Sequence, residues 1–171
     1  MRYFEFQKRC VRRLLKGLNT MIWLKPGNGK TLIILTWLHI LKKHRRIKPR
    51  ALIVGTELII SDTWPEEIWK FKKFRHFRYC WLHGADMADA KQAIRSGNYD
   101  IALTTPDTLW RLIDSDPKLF QHFRRLVIDE STKFKGQKSK RWKKLKKLLK
   151  GCPWIKQRVC MTGTPAPNGW L

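Results

Sequence analysis

The stretch Pro26-Gly27-Asn28-Gly29-Lys30-Thr31 is suited to hold an anion. Glycines at alternate positions let backbone N–H groups wrap a phosphate closely, and a helix starting just after them adds positive potential. In such a cradle Lys30 reaches the β- and γ-phosphates of a nucleoside triphosphate and the Thr31 hydroxyl ligates Mg²⁺. The full pattern, G-x-x-x-x-G-K-[ST], asks for glycine where Leu24 stands. A second pair is Asp129-Glu130, directly after the apolar run Leu126-Val127-Ile128. An aspartate at a buried strand end is placed to hold Mg²⁺ through water, and the next carboxylate to polarise an attacking water as general base. The third block is Thr162-Gly163-Thr164-Pro165. Its hydroxyls can hydrogen-bond the acidic pair and sense the γ-phosphate. Each block also has a plainer reading: a helix-capping turn, a surface acidic pair and a common turn composition.

These residues need elements to position them. Apolar runs at 21–24, 51–54, 79–82, 101–103 and 126–128, with the segment 158–161, read as six strands. Helices are expected at 31–43, 65–74, 85–95 and 139–149. Pro65 suits a first helical position, and Gly97 and Gly151 suit helix stops. Repeated strand–helix–strand order with continuously apolar strands implies an α/β fold, a mostly parallel sheet with helices on both faces. Ligands of such sheets sit beyond the carboxyl ends of the strands, where all three blocks fall.

Composition sets the class of partner. The 171 residues carry 37 Lys+Arg against 13 Asp+Glu, a net charge of +24, with 43% hydrophobic residues. One domain spanning 1–171 with its own core is expected, and a disordered basic tail is excluded. The charge favours a polyanion, nucleic acid first and an anionic membrane surface second. Between Lys133 and Lys150, ten residues are Lys or Arg, including Lys143, Lys144, Lys146 and Lys147. Trp142, Leu145 and Leu149 are spaced to form the opposite, apolar face. Such clusters contact phosphates and give salt-sensitive binding with little sequence preference. Trp23 and Trp37 are expected in the core. Cys10, Cys80, Cys152 and Cys160 form no C-x-x-C pair, which suits a reducing cytoplasm. No apolar run reaches the ~18 residues of a spanning helix, so no transmembrane helix is expected; with nucleic acid the leading candidate, no membrane partner is expected.

Together the three blocks resemble superfamily 2 helicases, and most of all the SWI/SNF-type DNA translocases, in particular compact phage-encoded forms. The resemblance runs from Gln7 to Leu171. Phe6-Gln7, ahead of an amphipathic helix, looks like the family's adenine-sensing glutamine motif. Leu52-Ile53-Val54-Gly55-Thr56 with Trp64 and Glu67 looks like its second block. Tyr99 to Pro106 looks like the threonine-rich block that touches the nucleic-acid backbone. Departures are Ser131-Thr132 after the acidic pair and Thr56 where proline is common.

The resemblance implies a RecA-like P-loop NTPase domain with ATP and Mg²⁺ as cofactors. Gln7, Pro26, Gly27, Asn28, Gly29, Lys30 and Thr31 would bind nucleotide. Thr31 and Asp129 would hold the metal, Lys30, Asp129 and Glu130 would carry catalysis, and Thr162, Gly163 and Thr164 would couple it. Thr56 and Thr105 would contact DNA. The family works with two such lobes, so a second RecA-like lobe, in cis or in trans, is an expected partner. The leading expectation is the ATP-binding lobe of a DNA-dependent ATPase that moves along or remodels duplex DNA. A DNA-binding protein that keeps the fold without turnover is the alternative. Another phosphate-loop enzyme, such as a kinase, fits less well with the Gly-Thr-Pro block.

Overall fold

A computed structural model describes residues 3–129 and 140–163, apart from the side chains of 140–142 and 144. The strands are β1 (Thr20–Trp23), β2 (Ala51–Val54), β3 (Tyr79–Trp81), β4 (Ile101–Thr104), β5 (Arg125–Ile128) and β6 (Gln157–Thr162). Their bounds differ from those expected by no more than one residue at either end. They form one sheet in the order β1-β6-β5-β2-β4-β3, with every pairing parallel.

Six α-helices lie among the described residues: α1 (Glu5–Leu15), α2 (Lys30–His39), α3 (Trp64–Lys70), α4 (Met87–Arg95), α5 (Pro106–Ser115) and α6 (Lys140–Gly151). From β1 through β2 to β3 the chain steps toward one edge of the sheet, and from β3 to β6 it steps back. Right-handed crossovers then require helices on opposite faces for the two directions. The two buried layers agree. Ile53, Leu103, Val127 and Met161 pack with residues of α1, α2 and α3, including Leu14, Ile33, Trp37 and Trp64. Their strand neighbours Leu52, Ala102, Leu126 and Ile128 pack with Ile94, Leu109 and Leu145 of α4, α5 and α6. This is the period of two, with successive side chains going to opposite faces. The helices that follow neighbouring strands β2 and β5, α3 and α6, pack on opposite faces of the sheet, the arrangement in which ligands of such folds sit at the strand carboxyl ends.

Several expectations change. The segment holding Phe6 and Gln7 is not ahead of the first helix but is its first turn, because α1 begins at Glu5. The long helix at 31–43 widens into a π-helical turn at Ile40–His44. That at 65–74 ends at Lys70, because Phe71 turns to extended backbone (φ −108°, ψ 114°) and sends Phe74 and Phe77 into the core. Helix α5 is not among the expected helices, although Thr105-Pro106 is a helix-start pair: the Thr105 hydroxyl accepts a bond from Thr108 N, and Pro106 takes the first position. Trp37 is fully buried, but Trp23 is 48% exposed. It shares the outward face of edge strand β1 with exposed Met21, as strand alternation dictates once Ile22 points into the core.

Candidate nucleotide site and nucleic-acid face

The loop between β1 and α2 is held from three sides. At its start Leu24 N donates to Thr162 O at 3.2 Å, and Asn28 N donates to Lys25 O at 3.3 Å to close a turn. Gly27 and Gly29 have φ of +80° and +73°, the left-handed region that glycine enters at little cost. Gly29 is the N-cap of α2, and Ile33 N returns to its carbonyl at 3.0 Å. The N–H groups of the helix's first turn have no acceptor within the helix, which makes this end an anion site. Lys30 Nζ reaches back across the loop and donates to Leu24 O at 3.1 Å. The ammonium is thereby aimed into the loop from its far end. Leu24, which replaces the pattern's first glycine, contributes its backbone carbonyl, a group every residue has.

Gln7 braces the other side of the loop. It is buried, its Nε2 donates to Asn28 O at 3.3 Å, and its Oε1 accepts from Phe4 N at 3.1 Å. A Cβ on Gly29 would stand 2.8 Å from Gln7 Nε2. Glycine is required there by backbone angle and by space. On the third side lies Gly163, where a Cβ would stand 3.0 Å from Pro26 Cδ. Residues 7, 26–31 and 162–163 are therefore one assembly, drawn from the start, the first fifth and the end of the chain.

Asp129 follows β5 and is buried. Its N–H donates to Val54 O at 2.8 Å, which continues the ladder with β2. Trp64 Nε1 donates to Asp129 Oδ2 at 3.2 Å. Trp64 is fully buried at the start of α3, so the indole fixes the plane of the carboxylate. The sequence places Trp64 in the second block but does not reveal this role. The available signal is chemical: a buried indole N–H needs an acceptor. Thr31 is half-buried in the first turn of α2. A hydroxyl and a carboxylate, completed by phosphate oxygens and water, form the hard oxygen donor set that Mg²⁺ takes. Glu130 and Thr164 lie outside the described residues.

Beyond β2 and β4 the strand ends form a depression of about 470 Å³. Thr56 and Thr105 both line it, together with Glu57, His83, Asp107 and Arg111. Thr105 is buried and its hydroxyl caps α5. Thr108 Oγ1 lies 3.1 Å from Thr105 Oγ1 and accepts from Arg111 Nη2 at 3.2 Å. The basic helix lies elsewhere. Leu145 and Leu148 of α6 pack into the second layer, where α6 meets α5, and Lys143, Lys146 and Lys147 are exposed. The side chain of Lys144 is outside those described.

A family model for the SNF2-related domain matches residues 6–170. The chromatin-remodeling ATPase INO80 of Lodderomyces elongisporus is 30% identical over 160 residues, which cover 90% of this chain and 10% of that protein. The ATP-dependent RNA helicase DBP9 of Pyricularia oryzae is 28% identical over 136 residues, 73% of this chain and 21% of its own. The SWI2/SNF2 ATPase core of Sulfolobus solfataricus, solved in complex with dsDNA, superposes with a TM-score of 0.73 at 27% identity, over 98% of this chain and 33% of that one. This chain thus spans a minor part of each of these relatives, with the RecA-like helicase-lobe fold. It belongs to the SNF2-related domain family of helicase-like ATPases.

Proposed function

We propose that this chain is the ATP-binding lobe of a DNA-dependent ATPase that uses hydrolysis to move along or remodel duplex DNA. The convergence of Gln7, the 24–31 loop and Gly163, with an Asp129 carboxylate oriented by Trp64 at the same end of the sheet two strands away, carries this reading. Lys30 and the N–H groups of α2 bind the phosphates. Thr31 and Asp129 hold Mg²⁺, which would neutralise charge on the β- and γ-phosphates. Asp129 stays oriented through the Trp64 indole, and Glu130, next in sequence, takes the proton of the attacking water. Thr162, bonded to the loop through Leu24, moves with it, and Thr162, Gly163 and Thr164 couple nucleotide state to the rest of the molecule.

DNA is favoured over RNA by the duplex in the related ATPase core, while the +24 charge suits either nucleic acid. The threonines at the strand ends supply backbone contacts, and α6 adds longer-range attraction from the second face. A second lobe, in cis or in trans, supplies the arginine that stabilises transition-state charge, worth roughly 10³–10⁵ in rate. The 171-residue chain alone should therefore hydrolyse ATP at background and bind duplex DNA in a salt-sensitive manner. Fluorescence anisotropy across a salt series, with Lys143, Lys144, Lys146 and Lys147 changed to Gln, should show the slope of log affinity against log salt falling by up to about 0.9 for each phosphate no longer neutralised. Wild-type binding independent of salt would contradict the DNA reading, and robust turnover by this chain would contradict the need for a second lobe.

A further inference from the structure

The amino ends of the strands, opposite the phosphate loop, carry a second concentration of charge. A depression of about 560 Å³ is lined there by Lys48, Arg50, Arg124, Arg125, Lys156 and Gln157, together with Gly17 and Ile47. The backbone forces its cations together. Arg124 N donates to Arg50 O at 2.9 Å and Lys156 N to Arg124 O at 3.0 Å, so like-charged residues stand side by side immediately ahead of adjoining strands β2, β5 and β6. Like charges in that arrangement repel. Among the described residues no carboxylate lines the depression. Arg125 is its rigid floor: Nη1 donates to Pro49 O at 2.6 Å, the guanidinium lies 5.7 Å from the Trp37 ring centre, and Nε is buried without a partner. Burial, then neighbouring Arg124, push the Arg125 pKa down to about 10. Arg50 holds a left-handed backbone, φ +44°, uncommon for a residue with a Cβ. A fold that keeps cations together against repulsion and backbone strain is one that expects an anion.

The anion is a polymer rather than a lone ion. The Gly17-Leu18 turn joins this depression to a smaller one lined by Arg9, Arg12, Arg13 and Lys16, which extends the cationic track along α1. Among the described residues no aromatic side chain lines either depression, so bases have nothing to stack on, and guanidinium groups suit phosphates. Leu18 and Ile47 are exposed at the rim, too few apolar side chains to enter a bilayer. We propose that the amino end of the sheet is a second phosphodiester-backbone site, holding a duplex segment other than the one at the strand-end threonines. Four-residue strands separate the two ends by about 13 Å or more. One lobe can therefore bridge two duplexes. The site does not depend on the ATP reading.

The test uses the full chain, with Lys48, Arg124 and Lys156 changed to Gln, and two short duplexes labelled with a donor and an acceptor dye. Wild type should bring the duplexes together and produce energy transfer. The triple variant should lose that transfer, and its salt slope should fall by up to about 2.7, three phosphates at about 0.9 each. Its unfolding temperature should stay level or rise as repulsion is relieved. Should the triple variant misfold, Lys156→Gln alone, at an exposed residue, should still lower the slope by up to about 0.9. Transfer and slope unchanged in the triple variant would overturn the proposal. So would wild-type binding to phosphatidylserine vesicles that is abolished in the variant while its DNA slope is unchanged, which would assign the track to a membrane.

Discussion

At the scale of single residues, the site depends on two interactions that can be removed with little change in volume. Trp64→Phe keeps most of the buried ring but deletes the indole N–H that holds Asp129 Oδ2. Losing a hydrogen bond to a charged group costs about 1.5–3 kcal/mol where that group is used. Mg²⁺-dependent ATP affinity should drop roughly tenfold or more, since 1.4 kcal/mol is a factor of ten. Affinity measured in EDTA should change far less. Equal losses with and without Mg²⁺ would mean the indole only packs. The second interaction is Gly29 against Gln7. Gly29→Ala adds a Cβ 2.8 Å from Gln7 Nε2 at a φ of +73°. The left-handed angle alone costs about 1–2 kcal/mol, and the clash adds to it. Adding Gln7→Ala should restore the part due to the clash and leave the part due to backbone, read as a double-mutant cycle in urea unfolding. Strict additivity would show that the two side chains do not meet.

At the scale of elements, the sequence is most informative where periodicity and burial agree. The inner strands β2, β4 and β5 centre on continuous apolar runs between polar turns, because helices cover both faces, and this makes them legible. Helix ends are less legible. Phe71 breaks the helix so that Phe74 and Phe77 fill the core, a choice made by packing that no capping residue announces. Trp23 departs from its expected place in the core because an apolar residue on an edge strand can face outward as readily as inward. Residues 26–31, Asp129 and Thr162 stand out in the sequence because the chemistry proposed for them constrains residue type, and the fold places all of them at the carboxyl ends of the strands. Trp64 and Gln157 act by reaching distant backbone or carboxylate oxygens, which spacing cannot reveal; Gln157 Nε2 ties β6 to Leu14 O at 2.9 Å and Leu18 O at 3.0 Å.

The end of α2 has its own pH response. His39 and His76 stand 5.1 Å apart between ring centres, against Phe74 and Phe77, with Lys42, Lys43, His44 and Lys73 around them and the buried Asp100 bonded to Lys42. Burial, then the Lys42 charge, lower His76 from 6.5 to about 4, and burial followed by His44 and Lys43 lowers His39. Both are neutral in the folded state at neutral pH. The unfolded chain binds their protons first, so their contribution is fully present above pH 6.5 and is lost as pH falls toward about 4. The unfolding temperature should decline over that window, and less steeply in His76→Gln. Parallel declines in the two proteins would place the acid response elsewhere.

For the whole molecule, the order of the strands explains how distant pieces of sequence become one site. The outward and returning crossovers place β1 beside β6 and β2 beside β5, so the loop after Trp23 meets the turn after Met161, and Asp129 meets Gly55. Everything proposed for nucleotide rests on that assembly acting as a phosphate cradle. The direct measurement is calorimetric titration of ATP with Mg²⁺ into the wild-type chain and into Lys30→Ala. The wild type should bind weakly and measurably, one site per chain. Lys30→Ala should lose most of that affinity while unfolding at a similar temperature, since among the described residues Lys30 Nζ makes a single bond, to Leu24 O at the start of the loop. Equal affinity in the two proteins would contradict the assignment of residues 24–31 as the nucleotide site.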